Sequence, residues 1–225
     1  MSDNQDRRWD VFATILSEKN FIMDENTKKM LAGKAYRPDS KELSQLRARA
    51  HDLCTEYNGL MENDSRREKI IDELFTDHKK GVYIQGPMRI DYGKFTHLGE
   101  NFYANFNLTI LDTCPVTIGN NVLIGPNCTI ATPLHPLLAS QRNAKIQNDG
   151  KFSTIEYGAP VEIGDNCWLA SNVTVTSGVT IGAGCVIGAG AVVTNNIPEN
   201  SLVLGVPGKV VRTITEADRI KDWPY

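Results

Sequence analysis

A chain of 225 residues with 41% apolar side chains has material for one sizeable core. Its formal charge of −3 provides no basic field for nucleic acid or anionic lipid, and its Lys and Arg runs are short and broken by acids. The polar opening MSDNQDRRWD has no apolar signal segment, and no stretch approaches the roughly 18 uninterrupted apolar residues of a membrane span, so a cytoplasmic protein that binds neither membrane nor nucleic acid is expected.

In chain order, residues 4–21 (NQDRRWDVFATILSEKNF) have the pattern of an amphipathic helix that would lie on a subunit surface or contact a partner. DENTKKMLAG, DSKELSQLRARAHDLCTEYN and DSRREKIIDELF then read as three helices. Asp39 stands three residues before Glu42, and Ser65 three before Glu68, which reads as a capping box at the second and third helices. Leu43, Leu46, Ala50 and Leu53 form an apolar stripe expected to cover the open end of whatever follows. The expected organisation is a helical segment over 1–80, a repeat domain over 81–214 with an extruded loop at 131–160, and a tail over 215–225.

The repeat is a beat of six. Apolar residues fall at Ile118, Ile124 and Ile130, then at Ile163, Leu169, Val175, Ile181, Ile187 and Val193, most of them followed by Gly or Ala. A second small or apolar residue follows four positions later, from Val122 and Cys128 to Cys185 and Ala191, and a fainter version precedes at Leu98, Ala104 and Ile110. Six is neither the helical period nor a plain alternation, and fixed-period self-similarity marks a solenoid. Short strands that point a β-branched residue inward, with glycine where the backbone turns, fit it. Twelve hexapeptides at three per coil predict about four coils, a prism some 20 Å tall at roughly 4.8 Å per coil. GAGCVIGAG (182–190) looks like a dinucleotide-binding loop but keeps the beat and opens no helix. An ordinary β-sandwich would need longer, unevenly spaced strands. The five cysteines form no CxxC pair, and three share one phase of the repeat, so they read as small buried thiols.

The beat stops at ATPLHPLLASQRNAKIQNDGKFSTIEYGAP (131–160), and inside that break stands His135, the last of four histidines. On residue type alone a lone histidine in a polar loop is more often a solvated side chain than a base.

YGKFTHLGENFYANFNLTILDTCPVTIGNNVLIGPNCTI, then HP and a loop, then VEIGDNCWLASNVTVTSGVTIGAGCVIGAGAVVTNNIPENSLVLGVPGKVVR, resembles the galactoside and maltose O-acetyltransferases of the hexapeptide acyltransferase group. The resemblance covers about residues 33–214, and LDTCP (111–115) is nearer the maltose branch. It implies a mainly β fold, a left-handed parallel β-helix with an N-terminal helical segment, assembled as a homotrimer in which acetyl-CoA and a sugar acceptor meet between neighbouring subunits. Handedness and trimer come from the resemblance alone; general rules favour right-handed crossovers.

The chemistry then implied is direct acetyl transfer from a thioester to a maltose-, glucose- or galactoside-type hydroxyl. That reaction needs a base at the hydroxyl and stabilisation of the carbonyl oxygen. A histidine's ordinary pKa near 6.5 suits the first task, and His135 occupies the family's catalytic position directly before Pro. Asn105 falls at the family's acceptor-site asparagine. Asp91, Asp39 and, more weakly, Asp112 lie at or beside acceptor-pocket positions, with helix capping an equal reading for Asp39. For acetyl-CoA, Trp168 and Ser171 match the family's GNNVWIGS turn, and Ala189, Thr194 and Asn195 continue that edge towards Lys209 and Arg212. The family often has Lys where Asn195 stands and Arg where Lys209 stands, which loosens or redistributes phosphate contacts. Lys209 and Arg212 also fit ordinary solvated charges. His51, His78 and His97 read as bystanders.

Three rival readings compete with this one. A zinc-dependent γ-type carbonic anhydrase needs several histidine ligands, and only His97 and His135 lie in or beside the repeat. A xenobiotic or aminosugar acetyltransferase shares fold, base and cosubstrate. A non-catalytic assembly module would lack both base and cosubstrate edge. The expectation is an acetyl-CoA-dependent sugar O-acetyltransferase without a metal.

Overall fold

Each six-residue unit becomes a strand of a few residues and a tight turn, and three units close one triangular coil. The computed structural model describes residues 23–221, so the helix expected over 4–21 lies outside the described residues. The first face of the prism stacks Asp77–His78, Thr96–Leu98, Val116–Ile118, Val161–Ile163 and Thr180–Ile181 in parallel. The second stacks Tyr83–Ile84, Tyr103–Ala104, Leu123–Ile124, Trp168–Leu169, Val186–Ile187 and Ser201–Leu204. The third stacks Met88–Ile90, Leu108–Leu111, Thr129–Ala131, Thr174–Val175 and Val192–Val193. The chain is mainly β, a parallel β-solenoid.

The four coils expected from the beat are five complete ones with the start of a sixth, about 25 Å of stack at the usual strand spacing. The added first coil hides because its inward residues Ile84 and Ile90 are followed by Gln85 and Asp91, not by glycine. Inward side chains such as Leu98, Ile118, Leu169, Ile187 and Val193 are fully or almost fully buried in one continuous core. All five cysteines are buried free thiols, as expected, and Cys128, Cys167 and Cys185 share one phase of the repeat.

Two local devices let the coils stack. At one edge, Gly99, Gly119, Gly164 and Gly182 follow the inward residues, and a Cβ on Gly164 would stand 2.6 Å from the Ala183 nitrogen of the next coil. The glycine is required by the close approach of one coil to the next. Three residues before the next inward side chain, asparagine takes the left-handed conformation, at Asn101, Asn121 and Asn166 on one edge and Asn107, Asn127 and Asn172 on another. Their amides also link coil to coil: Asn101 Nδ2 donates to Asn121 Oδ1 at 3.0 Å, and Asn121 Nδ2 to Asn166 Oδ1 at 3.2 Å.

Helices α1 (Glu25–Leu31), α2 (Lys41–Gly59) and α3 (Arg66–Leu74) precede the prism. The buried face of α2 and α3, with Ala50, Leu53, Tyr57, Ile70 and Leu74, joins Ile84 and Met88 of the first coil in the main core. The open strand edge there is satisfied by side chains. Arg67 Nη2 donates to the carbonyls of Ile84 (2.8 Å) and Gln85 (2.6 Å), and the Asn58 amide exchanges two bonds with the Met88 backbone. Neither expected capping box forms. Ser40, not Asp39, caps α2 by accepting from Leu43 N, while Ser65 is already helical in conformation and makes no capping bond. Among the described residues no helix is long and apolar enough to cross a membrane.

Gly164→Ala is expected to lower stability by about 1–3 kcal/mol, because the methyl group meets backbone that cannot yield; a denaturant midpoint equal to that of the unmodified protein would remove the steric account.

Candidate active site

Residues on one edge of a three-sided coil recur every third turn, so positions six apart lie on different edges. This sorts the expected site residues into two columns flanking the third face. The edge between the second and third faces carries Asn105, Ser171 and Ala189, linked in order by backbone bonds such as Asn105 N to Ile124 O and Gly190 N to Ser171 O. Lys209, paired with Leu204, continues the same edge. The edge between the third and first faces carries Asp91, Asp112, the loop with His135, and then Thr194 and Asn195. Thr194 and Asn195 therefore do not continue the Ser171–Ala189 edge as expected; five residues past Ala189 the chain has crossed the third face to the opposite edge. Trp168 stands on the second face, half exposed, in register with Val186 and Leu202.

All irregular turn lengths fall on the His135 edge, and the loop is stapled where it leaves and rejoins the stack. Thr132, fully buried, donates from Oγ1 to Leu111 O at 2.8 Å and accepts there from Cys114 N at 2.8 Å. Ser177 Oγ donates to Thr132 O at 2.6 Å and accepts from Ala159 N at 2.9 Å. Between the staples, Pro133–Leu134 pairs antiparallel with Tyr157–Gly158, helix α4 (Ala139–Arg142) follows, and Lys145–Ile146 pairs with Phe152–Ser153. His135 comes directly after the first of these strands with an exposed side chain that makes no hydrogen bond among the described residues. The other histidines sit in local pairs, His78 with Asp72 at 3.0 Å and His97 with Asp77 at 3.0 Å.

The carboxylates differ sharply. Asp91 is half-buried in a cleft of about 480 Å³ between α2 and the first coil, with His51 Nε2 3.4 Å from its Oδ1 and Arg89 and Thr55 in the walls. His51, read as a bystander, thus joins an expected site residue; the signal available was its place beside Ala50, bordering the buried face of α2. Asp39 is committed elsewhere: the Arg37 guanidinium holds it by two bonds, Ser153 Oγ donates to it at 2.6 Å, and these contacts hold its carboxyl down at about 2. Asp112 is fully buried, so it cannot meet an acceptor hydroxyl. It accepts from Tyr92 N (2.8 Å) and Thr96 Oγ1 (2.9 Å) and ties the turn together, while burial pushes its carboxyl up to about 6.

On the opposite column, Asn105 Oδ1 accepts from Phe106 N at 2.8 Å, which leaves its amide N–H groups unused among the described residues. Arg212 is gripped by Asp218 through a two-pronged ion pair, so of the two expected phosphate contacts only Lys209 is exposed and without an ionic partner among the described residues. The residues present fit a slender, anionic-headed ligand lying along exposed turns, with Lys209 as the available cation. Among the described residues no group of three or more His, Cys, Asp or Glu side chains is placed to hold a metal ion.

A galactoside O-acetyltransferase of Escherichia coli is 39% identical over 194 residues, spanning 86% of this chain and 91% of the relative. The chain belongs to the galactoside and maltose O-acetyltransferase family. Residues 29–79 match the maltose acetyltransferase hexapeptide capping motif and residues 160–195 the bacterial transferase hexapeptide repeat. The structure of a maltose O-acetyltransferase from Clostridium difficile superimposes with a TM-score of 0.75 at 40% identity, over 85% of this chain and 98% of the other. A galactoside acetyltransferase in complex with coenzyme A does so with a TM-score of 0.79 at 37% identity, over 89% and 98%. The capping-motif match falls on α2 and α3, the helices that satisfy the first coil, and the acetyltransferase family's resemblance noted in the sequence is thereby established.

Because folding raises the Asp112 pKa, the native state binds a proton that the unfolded chain has released, and the aspartate's contribution falls as pH rises from about 4 to about 6. Denaturation at pH 4 and at pH 7 should show Asp112→Asn gaining on the unmodified protein across that window; a pH-independent difference between the two would refute the assignment.

Proposed function

We propose that this acetyltransferase moves the acetyl group of acetyl-CoA directly to a sugar hydroxyl, with His135 as general base, in a cytoplasmic homotrimer. The observation that carries the reading is an exposed, uncommitted imidazole at the root of a stapled loop, on the edge that also bears Asp91. The family relatives named for galactoside and maltose support a sugar acceptor.

Acetyl-CoA supplies the activated acetyl group. This chain's residues supply the rest. A ring nitrogen of His135 takes the proton from the acceptor hydroxyl as its oxygen becomes nucleophilic, and later returns it to the leaving sulfur. The Asp91 carboxylate accepts hydrogen bonds from neighbouring sugar hydroxyls in its cleft, and the free Asn105 amide donates to an oxygen of the reacting centre. Ser171 and Ala189 on one edge, with the half-exposed Trp168 on the adjoining second face, offer side chains and backbone for the extended cosubstrate, with Lys209 at its charged end; Thr194 and Asn195 would meet it only from the other edge.

In one chain His135 and Asn105 lie on opposite edges of the third face, so a site that uses both is completed by a neighbouring copy. The loop is suited to reach that copy: Leu137 is 92% and Ile146 76% exposed, and Phe152 is also bare, an apolar display that a lone chain does not need.

His135→Ala should lower kcat by about 10² to 10⁴ while the KM for acetyl-CoA changes little. The assay is release of free CoA with maltose, glucose or a galactoside, and full turnover in the variant would remove His135 from the mechanism. We further propose that the loop walls the acceptor site. Replacing residues 141–152 by a short turn should then change the ratio of kcat/KM between two acceptors; an unchanged ratio shows that the loop has no part in acceptor choice.

A further inference from the structure

The loop that bears His135 is held by a part of the chain one hundred residues earlier. As it leaves the stack, Pro133 lies opposite Gly158 and Leu134 opposite Tyr157 in an antiparallel pair. One step beyond the last pair stand His135, directly after Leu134, and Glu156, directly before Tyr157. Antiparallel strands alternate between pairs that exchange backbone bonds and pairs that do not. Ala159 N donates to Thr132 O, while Thr132 N turns to Leu111 O, so a single bond joins that pair, and Leu134 and Tyr157 face each other two residues further on. Tyr157 turns its backbone to Leu134, and Glu156, the next residue along, turns its backbone to the other side.

The backbone of Glu156 faces the other way, onto Tyr36. Tyr36 N donates to Glu156 O at 2.9 Å and Glu156 N to Tyr36 O at 3.1 Å, so Tyr36 is the third strand of the ribbon. Its hydroxyl also donates to Glu156 Oε2 at 2.7 Å. Tyr36 is itself immovable: 2% exposed, it packs with Met30, Leu43, Tyr92 and Phe95 in a second apolar cluster beside the prism. Burial, and then the charge and hydrogen bond of Glu156, push its phenol well above the ordinary range.

We infer that Tyr36 and Glu156 are positioning residues for His135, transmitting the rigidity of the N-terminal cluster to the base through a three-stranded ribbon. The inference rests on the reading of His135 as the base. His135 makes no side-chain hydrogen bond of its own among the described residues, so its place is set by backbone, and the Tyr36–Glu156 contact is what fixes that backbone from the far side. Farther out, Arg37 to Asp149 at 2.9 Å and Ser153 to Asp39 at 2.6 Å tie down the rest of the loop without touching this ribbon.

The test uses the full-length enzyme, acetyl-CoA and whichever of maltose, glucose or a galactoside gives the fastest CoA release. Tyr36→Phe keeps the packed ring and removes only the hydroxyl; Glu156→Ala removes the acceptor, and Glu156→Gln retains one. With each variant shown by thermal melting to be folded at the assay temperature, Tyr36→Phe and Glu156→Ala should lower kcat about tenfold, since small misplacements of a catalytic group are costly. KM for acetyl-CoA should stay unchanged, and Glu156→Gln should recover most of the loss. Unaltered kcat in folded Tyr36→Phe and Glu156→Ala overturns the inference, as does a Glu156→Gln variant no better than Glu156→Ala with KM for acetyl-CoA rising in parallel. His135→Ala, assayed beside them, separates the two readings: full turnover there removes the base itself, whereas its loss with normal Tyr36→Phe and Glu156→Ala removes only the positioning role.

Discussion

Everything in this molecule depends on the backbone of each coil bonding to the backbone of the next. Gly119 N reaches Ile163 O at 2.8 Å, Leu123 N reaches Cys167 O at 2.9 Å, and Thr129 N reaches Val173 O at 2.9 Å, one bond for each face of the same coil. A coil cannot tilt or slide without breaking bonds on all three faces. This constraint dictates the glycines at Gly99, Gly119, Gly164 and Gly182, the left-handed asparagines, and the small inward side chains. It also dictates the helices, because the first coil has no coil beneath it, and Arg67, Tyr57 and Asn58 must supply the missing partners.

The repeat was legible because burial and turning impose the same residue types at fixed intervals. The first coil was not, since Ile84 and Ile90 lack the glycine that makes the beat audible, and its partners come from helices instead of from a coil. The capping boxes failed for a related reason. Asp39 and Ser65 have suitable spacing, but Arg37 and Ser153 claim the first, and the second is already inside a helical turn, so tertiary contacts override a local pattern.

The site was legible as a set of residues and much less so as an arrangement. A period of six suggests one continuous edge, whereas a three-sided coil deals successive units to three edges, and Ala189 and Thr194 part company for that reason. Burial could not be read from residue type either: Asp91 and Asp112 stand on the same edge of adjacent coils, one step out of register, yet one opens into a cleft and the other is sealed by Tyr92 and Thr96. Tyr36 and Glu156 carried no sequence signal, because a pairing across 120 residues has no period.

Among the described residues, the edge that holds His135 is also the one whose spacing between inward side chains varies. Stacked positions there and elsewhere are 20 residues apart in the lower coils and 45 apart across the loop, but Asn121 and Asn166 still meet as if nothing intervened. Lengthening a tethered segment costs only about 0.6 kcal/mol per doubling, and with Thr132, Ala159 and Ser177 sealing its base none of that cost is passed to the coils. The fold therefore separates two kinds of inheritance: three rails that tolerate almost no change, and one gate through which new sequence can enter beside the chemistry without renegotiating the architecture.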